Sequence, residues 1–173
     1  MGLPGAARAT GVTSDCPMGL RGLSVWVHVL GCRSNLCEGD FLAGDLEARG
    51  ARVTQDPEGC SAAVIVSCSV TAEADRKCRQ AVRRARRTVG EAGVVAVCGC
   101  WAQGADAEEA RRLGVDLLVG NRRKGELAEA LEAMVRDGRA FGDLRFDLTG
   151  DRRWEELPAS RPAFHTRAFL KVQ

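Results

Sequence analysis

A chain of 173 residues has room for one domain of ordinary size with flanking segments, and its 45% hydrophobic and 28% charged residues read as soluble and globular. The formal net charge of +2 is too near balance to announce a nucleic-acid binder from composition, so any basic surface has to be local. Aromatic residues make up only 5% and tyrosine is absent, which leaves Val, Leu and Ala to build the core.

Residues 1–22, MGLPGAARATGVTSDCPMGLRG, are dominated by Gly, Ala, Pro and Ser and lack the apolar middle of a signal peptide. Position 6 is Ala where a myristoylation pattern wants Ser or Thr. This stretch reads as a disordered leader. No run approaches the roughly 18 apolar residues of a membrane span, so the expected place is the cytoplasm, with no membrane partner and a monomeric state. In a reducing compartment eight cysteines argue for metal binding or catalysis rather than disulfides, although any one thiol taken alone is by default a small buried hydrophobe.

LSVWVHVL (23–30) has the β-branched content and length of a strand. LCEGDFLAGDLEARG (36–50) follows as a helix stopped by Gly50, and a short strand over 52–54 leads to the turn QDPEG. AAVIVS (62–67) is too apolar for an open antiparallel face and reads as a buried strand. Thr71 can cap the helix that runs to Gly90, with Glu73 and Asp75 in its first turn. A buried strand (93–99), a short helix (106–114), a strand (116–120) and a helix (124–138) with a stripe of Leu127, Leu131 and Met134 complete the pattern. Strands alternating with helices predict an α/β fold: a flavodoxin-like, doubly wound parallel sheet of about five strands in the order 2-1-3-4-5. The domain is expected over 23–138, a surface linker over 139–165, and in TRAFLKVQ (166–173) the start of a further domain that the chain does not complete.

Cys32, Cys68 and Cys100 each close an apolar run, after predicted strands 1, 3 and 4. Parallel strands bring their carboxyl ends to one edge, where such folds bind ligands. At about 4.8 Å between neighbouring strands, the three loops span roughly 10 Å. Three thiolates without a nearby His suit zinc, copper or an iron–sulfur cluster. A closed zinc site usually takes a C-x-x-C pair, which is absent, while Cys98 offers a spare thiol whose direction the sequence does not fix. Three thiolates with one metal atom open favour a cluster, yet spacing alone leaves cluster, zinc and coincidentally buried thiols all open.

The residues around the thiols add to this. LGCRSNLCEG (30–39), SCSVTAEADRKCRQ (67–80) and GCWAQ (99–103) resemble the amino-terminal domain of the tRNA methylthiotransferases, radical S-adenosylmethionine enzymes with two [4Fe-4S] clusters. That family's pattern is L-G-C-x-x-N-x-x-E, then N-T-C followed by an A-x-x-K helix, then G-C-Y-A-Q. LGVDLLVGNRRKGEL (113–127) resembles the stretch that follows, and RAFLKVQ (167–173) the entry strand of the radical domain, whose C-x-x-x-C-x-x-C comes just afterwards. The resemblance covers residues 23–136 and 166–173. It implies that Cys32, Cys68 and Cys100 hold the auxiliary [4Fe-4S] cluster, and that a second cluster and S-adenosylmethionine belong to the radical domain. It further implies tRNA as partner, with the sulfur donor unidentified. Asn35 and Glu38 match motif positions and are expected to order the Cys32 loop and cap the helix behind it. The details are closest to members that place a methylthio group at C2 of N6-threonylcarbamoyladenosine beside the anticodon. Val66 stands for the family's Asn, Ser67 for Thr, Gly39 for Ser and Trp101 for Tyr. By itself the chain is expected to be inactive. The rival class is a non-catalytic flavodoxin-like module that binds zinc or a partner.

Arg76, Lys77, Arg79, Arg83, Arg84, Arg86 and Arg87 lie opposite the apolar side of their helix, formed by Ala74, Cys78, Ala81, Val82 and Ala85. Such a face can contact tRNA phosphates without reading sequence, or be simply a solvated exterior. Cys78 reads as core, Cys37 and Cys60 as structural, and His28 as a packing histidine. No Ser-His-Asp arrangement or phosphate-binding Gly loop is visible.

Overall fold

The apolar runs become one six-stranded, all-parallel sheet in the order β2-β1-β3-β4-β5-β6. The computed structural model describes residues 19–69, 71–138, 140–146, 157–158 and 161–163. Its strands are β1 (Ser24–Val29), β2 (Arg52–Thr54), β3 (Ala62–Ser67), β4 (Val94–Gly99), β5 (Leu117–Val119) and β6 (Gly142–Leu144). Its helices are α1 (Arg33–Ala48), α2 (Ala72–Val89), α3 (Cys100–Gly104), α4 (Ala107–Leu113) and α5 (Leu127–Asp137), the last preceded by a 3₁₀ turn, Lys124–Glu126.

Every residue of β3 and β4 is buried, because helices cover both faces of the sheet. Val25, Val27, Val64, Val66, Ala96 and Cys98 pack under α1 and α5. Trp26, Ala63, Ile65, Val95, Val97 and Leu118 meet α2, α3 and α4 on the other side. The alternation along each strand therefore divides the core into two layers. Where α1 crosses β1 the fit is close: a Cβ at Gly39 would come 2.5 Å from Val29 Cγ2, so a side chain there would force the helix outward.

The predicted sheet order holds, with one strand more than expected. β6 lies in the stretch read as linker, held parallel to β5 through Leu117↔Gly142, Leu118↔Asp143 and Val119↔Leu144. Gly-Asp-Leu offers no β-branched or aromatic residue to mark a strand, so only the edge it pairs with defines it. Leu20, inside the stretch read as leader, is fully buried in the core, and its N–H donates to Arg49 O at 3.3 Å. Helix α1 begins at Arg33, three residues earlier than expected, and α3 was not foreseen. Residues 1–18 of the leader and the strand expected over 166–173 lie outside the described residues.

Candidate metal centre at the carboxyl edge of the sheet

Pairing of β1 with β3 runs to Val29↔Val66 and is extended by Leu30 N–H donating to Val66 O at 2.9 Å. Pairing of β3 with β4 ends at Ser67↔Gly99. The next residues of three adjacent strands therefore carry the three thiols side by side. Cys32 is the exposed N-cap of α1, Cys68 is buried just after β3, and Cys100 opens α3 half-exposed.

Two glycines let these loops touch. Gly31 has φ +104, and a Cβ on it would lie 3.0 Å from Cys68 Sγ and closer still to Cys68 Cβ, so the Cys68 side chain rests against the backbone that leads into Cys32. Gly99 has φ +98, and a Cβ on it would lie 2.5 Å from Ser67 O. Both conformations favour glycine, and both contacts leave room for no side chain.

Hydrogen bonds then join the three loops. Asn35, one turn into α1, donates from Nδ2 to Leu30 O at 2.6 Å and to Ser67 O at 3.1 Å. Cys32 Sγ lies 3.7 Å from Asn35 Oδ1. The buried Ser67 hydroxyl donates to Cys98 O at 2.5 Å and accepts from Ala102 N–H at 3.4 Å. Asn35 thus ties the Cys32 loop to the Cys68 loop. Neither Asn35 nor Glu38 caps α1, because the helix starts ahead of both and Cys32 occupies the cap position. Glu38 instead pairs with Lys124 at 3.1 Å, both side chains buried, while Lys124 Nζ also donates to Asn121 O at 3.2 Å.

Lys124 and Gln103 were not singled out from sequence. Gln103 Oε1 accepts from Asn121 N–H and its Nε2 donates to Phe146 O, each at 3.1 Å. Arg145 reaches Ala102 O at 3.2 Å and Ala105 O at 2.5 Å. Helix α3, which carries Cys100, is thereby fastened to the loop after β5 and to the end of β6. Gln103 sits in the GCWAQ motif and Lys124 in the stretch 113–127, but nothing local to either reports the partner it finds on folding.

The seven cysteines among the described residues are all free thiols. Among those residues no group of three His, Cys, Asp or Glu converges tightly enough for a single ion. A polynuclear cluster takes each cysteine on a different iron, so its ligands need not meet at one ion. The donor set, three thiols with no His or carboxylate among them, fits such a cluster. Cys98 is fully buried in the layer under α1 and α5, away from solvent. Cys78 is buried in the opposite layer, and burial, with Asp75 adding to it, pushes its thiol up to about 12.

The cations of α2 fall into two groups. Arg76 and Lys77 share Glu73, whose carboxyl is drawn down to about 2, chiefly by the Arg76 hydrogen bond. Arg79 binds Asp75 at 2.9 Å and also Glu109. Arg86 donates to the carbonyls of Gly90 (2.8 Å), Gly93 (2.9 Å) and Gly114 (2.7 Å), and pairs with Asp116. Arg83 and Arg87 are exposed without an ion pair among the described residues, and Arg84 lies over the Trp26 ring at 5.4 Å. His28 stacks beside Trp26 with ring centroids 5.0 Å apart.

Fold and site together define a doubly wound α/β domain that presents three thiols at its carboxyl edge. A family model described as "Uncharacterized protein family UPF0004" matches residues 24–120, more than half of the chain. The threonylcarbamoyladenosine tRNA methylthiotransferase MtaB of Aquifex aeolicus is 39% identical over 110 residues, 64% of this chain and 27% of that protein. The protein of the same name from Bacillus subtilis is 32% identical over 152 residues, 87% of this chain and 33% of its own. The tRNA-2-methylthio-N(6)-dimethylallyladenosine synthase of Novosphingobium aromaticivorans is 31% identical over 165 residues, 94% of this chain and 36% of its own. The chain belongs to the tRNA methylthiotransferase family, as its amino-terminal domain, and spans about a third of the length of these relatives. Among the described residues no helix is long and apolar enough to cross a membrane.

Proposed function

We propose that this chain is the auxiliary-cluster portion of a tRNA methylthiotransferase acting at C2 of N6-threonylcarbamoyladenosine beside the anticodon. Cys32, Cys68 and Cys100 hold a [4Fe-4S] cluster. The observation that carries this reading is the run of three thiol-bearing loops on adjacent parallel strands, joined by Asn35 and Ser67. A cluster held by three cysteines has one iron left for a sulfur ligand. The chain's own residues fix the loop spacing, and Gly31 and Gly99 keep the approaches open. S-adenosylmethionine and the second cluster belong to a radical domain of a longer protein. Arg83, Arg84 and Arg87 are the cations of α2 best placed to meet tRNA phosphates. The substrate assignment draws on the names of the Aquifex and Bacillus relatives. The name of the Novosphingobium relative makes dimethylallyladenosine the substrate to be separated from it.

Anaerobic reconstitution of the 173-residue chain tests the cluster. About four irons and matching sulfide should bind, and Cys68→Ala should lose them. Tightly bound zinc without iron–sulfur absorption would overturn the reading in favour of a metal-binding or interaction module. Assay of the full-length protein on tRNA carrying one or the other adenosine modification decides the substrate.

A further inference from the structure

Helix α3 begins with Gly99 at its cap position and has no side-chain cap of its own. Capping residues supply a side-chain oxygen to the N–H of the second or third helical residue, and glycine has none. No larger residue can stand at position 99, since its φ is +98 and a Cβ would press on Ser67 O at 2.5 Å. The missing acceptor comes from the neighbouring strand. The Ser67 hydroxyl accepts from Ala102 N–H, on the third residue of α3, and passes its own proton toward Cys98 O at 2.5 Å. One hydroxyl, fully buried at the last residue of β3, therefore satisfies the end of β4 and the start of α3 together.

Cys100 lies between those two anchors, and Cys68 is the residue next to Ser67. We infer that Ser67 is a positioning residue for the metal centre, capping α3 from the adjacent strand so that Cys100 is held at a fixed distance from Cys68. Asn35, which donates to Ser67 O at 3.1 Å, extends the same chain of bonds to the Cys32 loop. This rests on the reading of the three thiols as cluster ligands. It adds that their spacing is set by a hydroxyl that binds no metal.

The test compares the wild-type chain with Ser67→Ala and Ser67→Thr, the second keeping the hydroxyl. In the metal-free chain, amide exchange at Ala102 and alkylation of Cys100, mapped by mass spectrometry, should each rise about tenfold in Ser67→Ala, the factor of one buried hydrogen bond. Ser67→Thr should stay at the wild-type rate, and exchange at Val64 and Val97 should not change in either variant. After reconstitution, Ser67→Ala should release iron to a chelator faster and alter the electron-paramagnetic-resonance line shape of the reduced cluster. Wild-type exchange at Ala102 in Ser67→Ala would overturn the inference. So would an equal rise in Ser67→Thr, or a rise across the whole sheet. If the wild-type chain takes up no iron, the cluster reading fails on its own, while the exchange data still decide the role of Ser67.

Discussion

Glu38 of α1 and Lys124 in the turn before α5 meet at 3.1 Å with side chains only 8% and 6% exposed. The pair ties the helix behind Cys32 to the loop after β5. Two charges so deeply buried need each other, and Lys124 also donates to Asn121 O at 3.2 Å. Lys124→Met takes the ammonium away from the buried Glu38 carboxylate and should cost about 3 kcal/mol in urea unfolding. Adding Glu38→Leu should recover most of that loss, because an apolar pair of similar volume removes both desolvation costs. A double variant no more stable than Lys124→Met would show that the pair is not the source of the effect.

Lys124 also marks where the sequence stops being legible. Thr71 capping α2, the buried runs of β3 and β4, and the Leu127–Leu131–Met134 stripe all declare themselves within a few residues, through capping chemistry and periodicity. The thiols were readable because their position after strands follows from parallel topology. The partner of Glu38 lies 86 residues away, and no local pattern reports an ion pair made by folding. Helix α3 and strand β6 were missed for a related reason: a five-residue helix is too short to show a period, Gly-Asp-Leu has no β-branched or aromatic residue, and tertiary anchors such as Gln103 and Arg145 define them.

Asn35→Asp keeps the size of the side chain and removes its donors. Leu30 O and Ser67 O, which Nδ2 now serves at 2.6 and 3.1 Å, would face carboxylate oxygens instead. Leaving buried acceptors unpaired should destabilise the chain by about 2 kcal/mol, and iron retained after reconstitution should fall with it. Measuring both separates two roles. Unchanged iron with lowered stability would make Asn35 a packing residue only.

His28 is held below its ordinary value of 6.5, first by burial and then by the Arg84 charge. The unfolded chain therefore binds a proton at a pH where the folded one does not. Its contribution to stability is full above the unfolded value and is lost as pH falls from about 6.5 toward the folded value. The ring should titrate below 6.5 in an NMR experiment. Arg84→Ala should raise that midpoint part of the way, leaving the share due to burial. His28→Gln should flatten the fall in urea midpoint between about pH 7 and pH 5, and an unchanged fall would assign it to other groups.

The cations of α2 should not act as one patch on RNA. Arg86 spends its guanidinium on three carbonyls and Asp116, where it holds the end of α2 to the starts of β4 and β5. Arg76 and Lys77 are screened by Glu73, and Arg79 by Asp75 and Glu109. Arg83, Arg84 and Arg87 remain, and each phosphate contact they make contributes about 0.9 to the slope of log affinity against log salt. Replacing all three with Ala should lower the slope for unmodified tRNA by about 2 to 3 while leaving the urea midpoint nearly unchanged. Arg86→Ala should do the reverse, lowering stability by about 2 kcal/mol as its carbonyl partners lose their donor, with the salt slope measured at low temperature nearly intact. An unchanged slope in the triple variant would make this face of α2 a solvated exterior and place the RNA contact elsewhere. A fall in the slope without loss of stability needs no base to be recognised, since phosphate contacts position a nucleic acid without reading it.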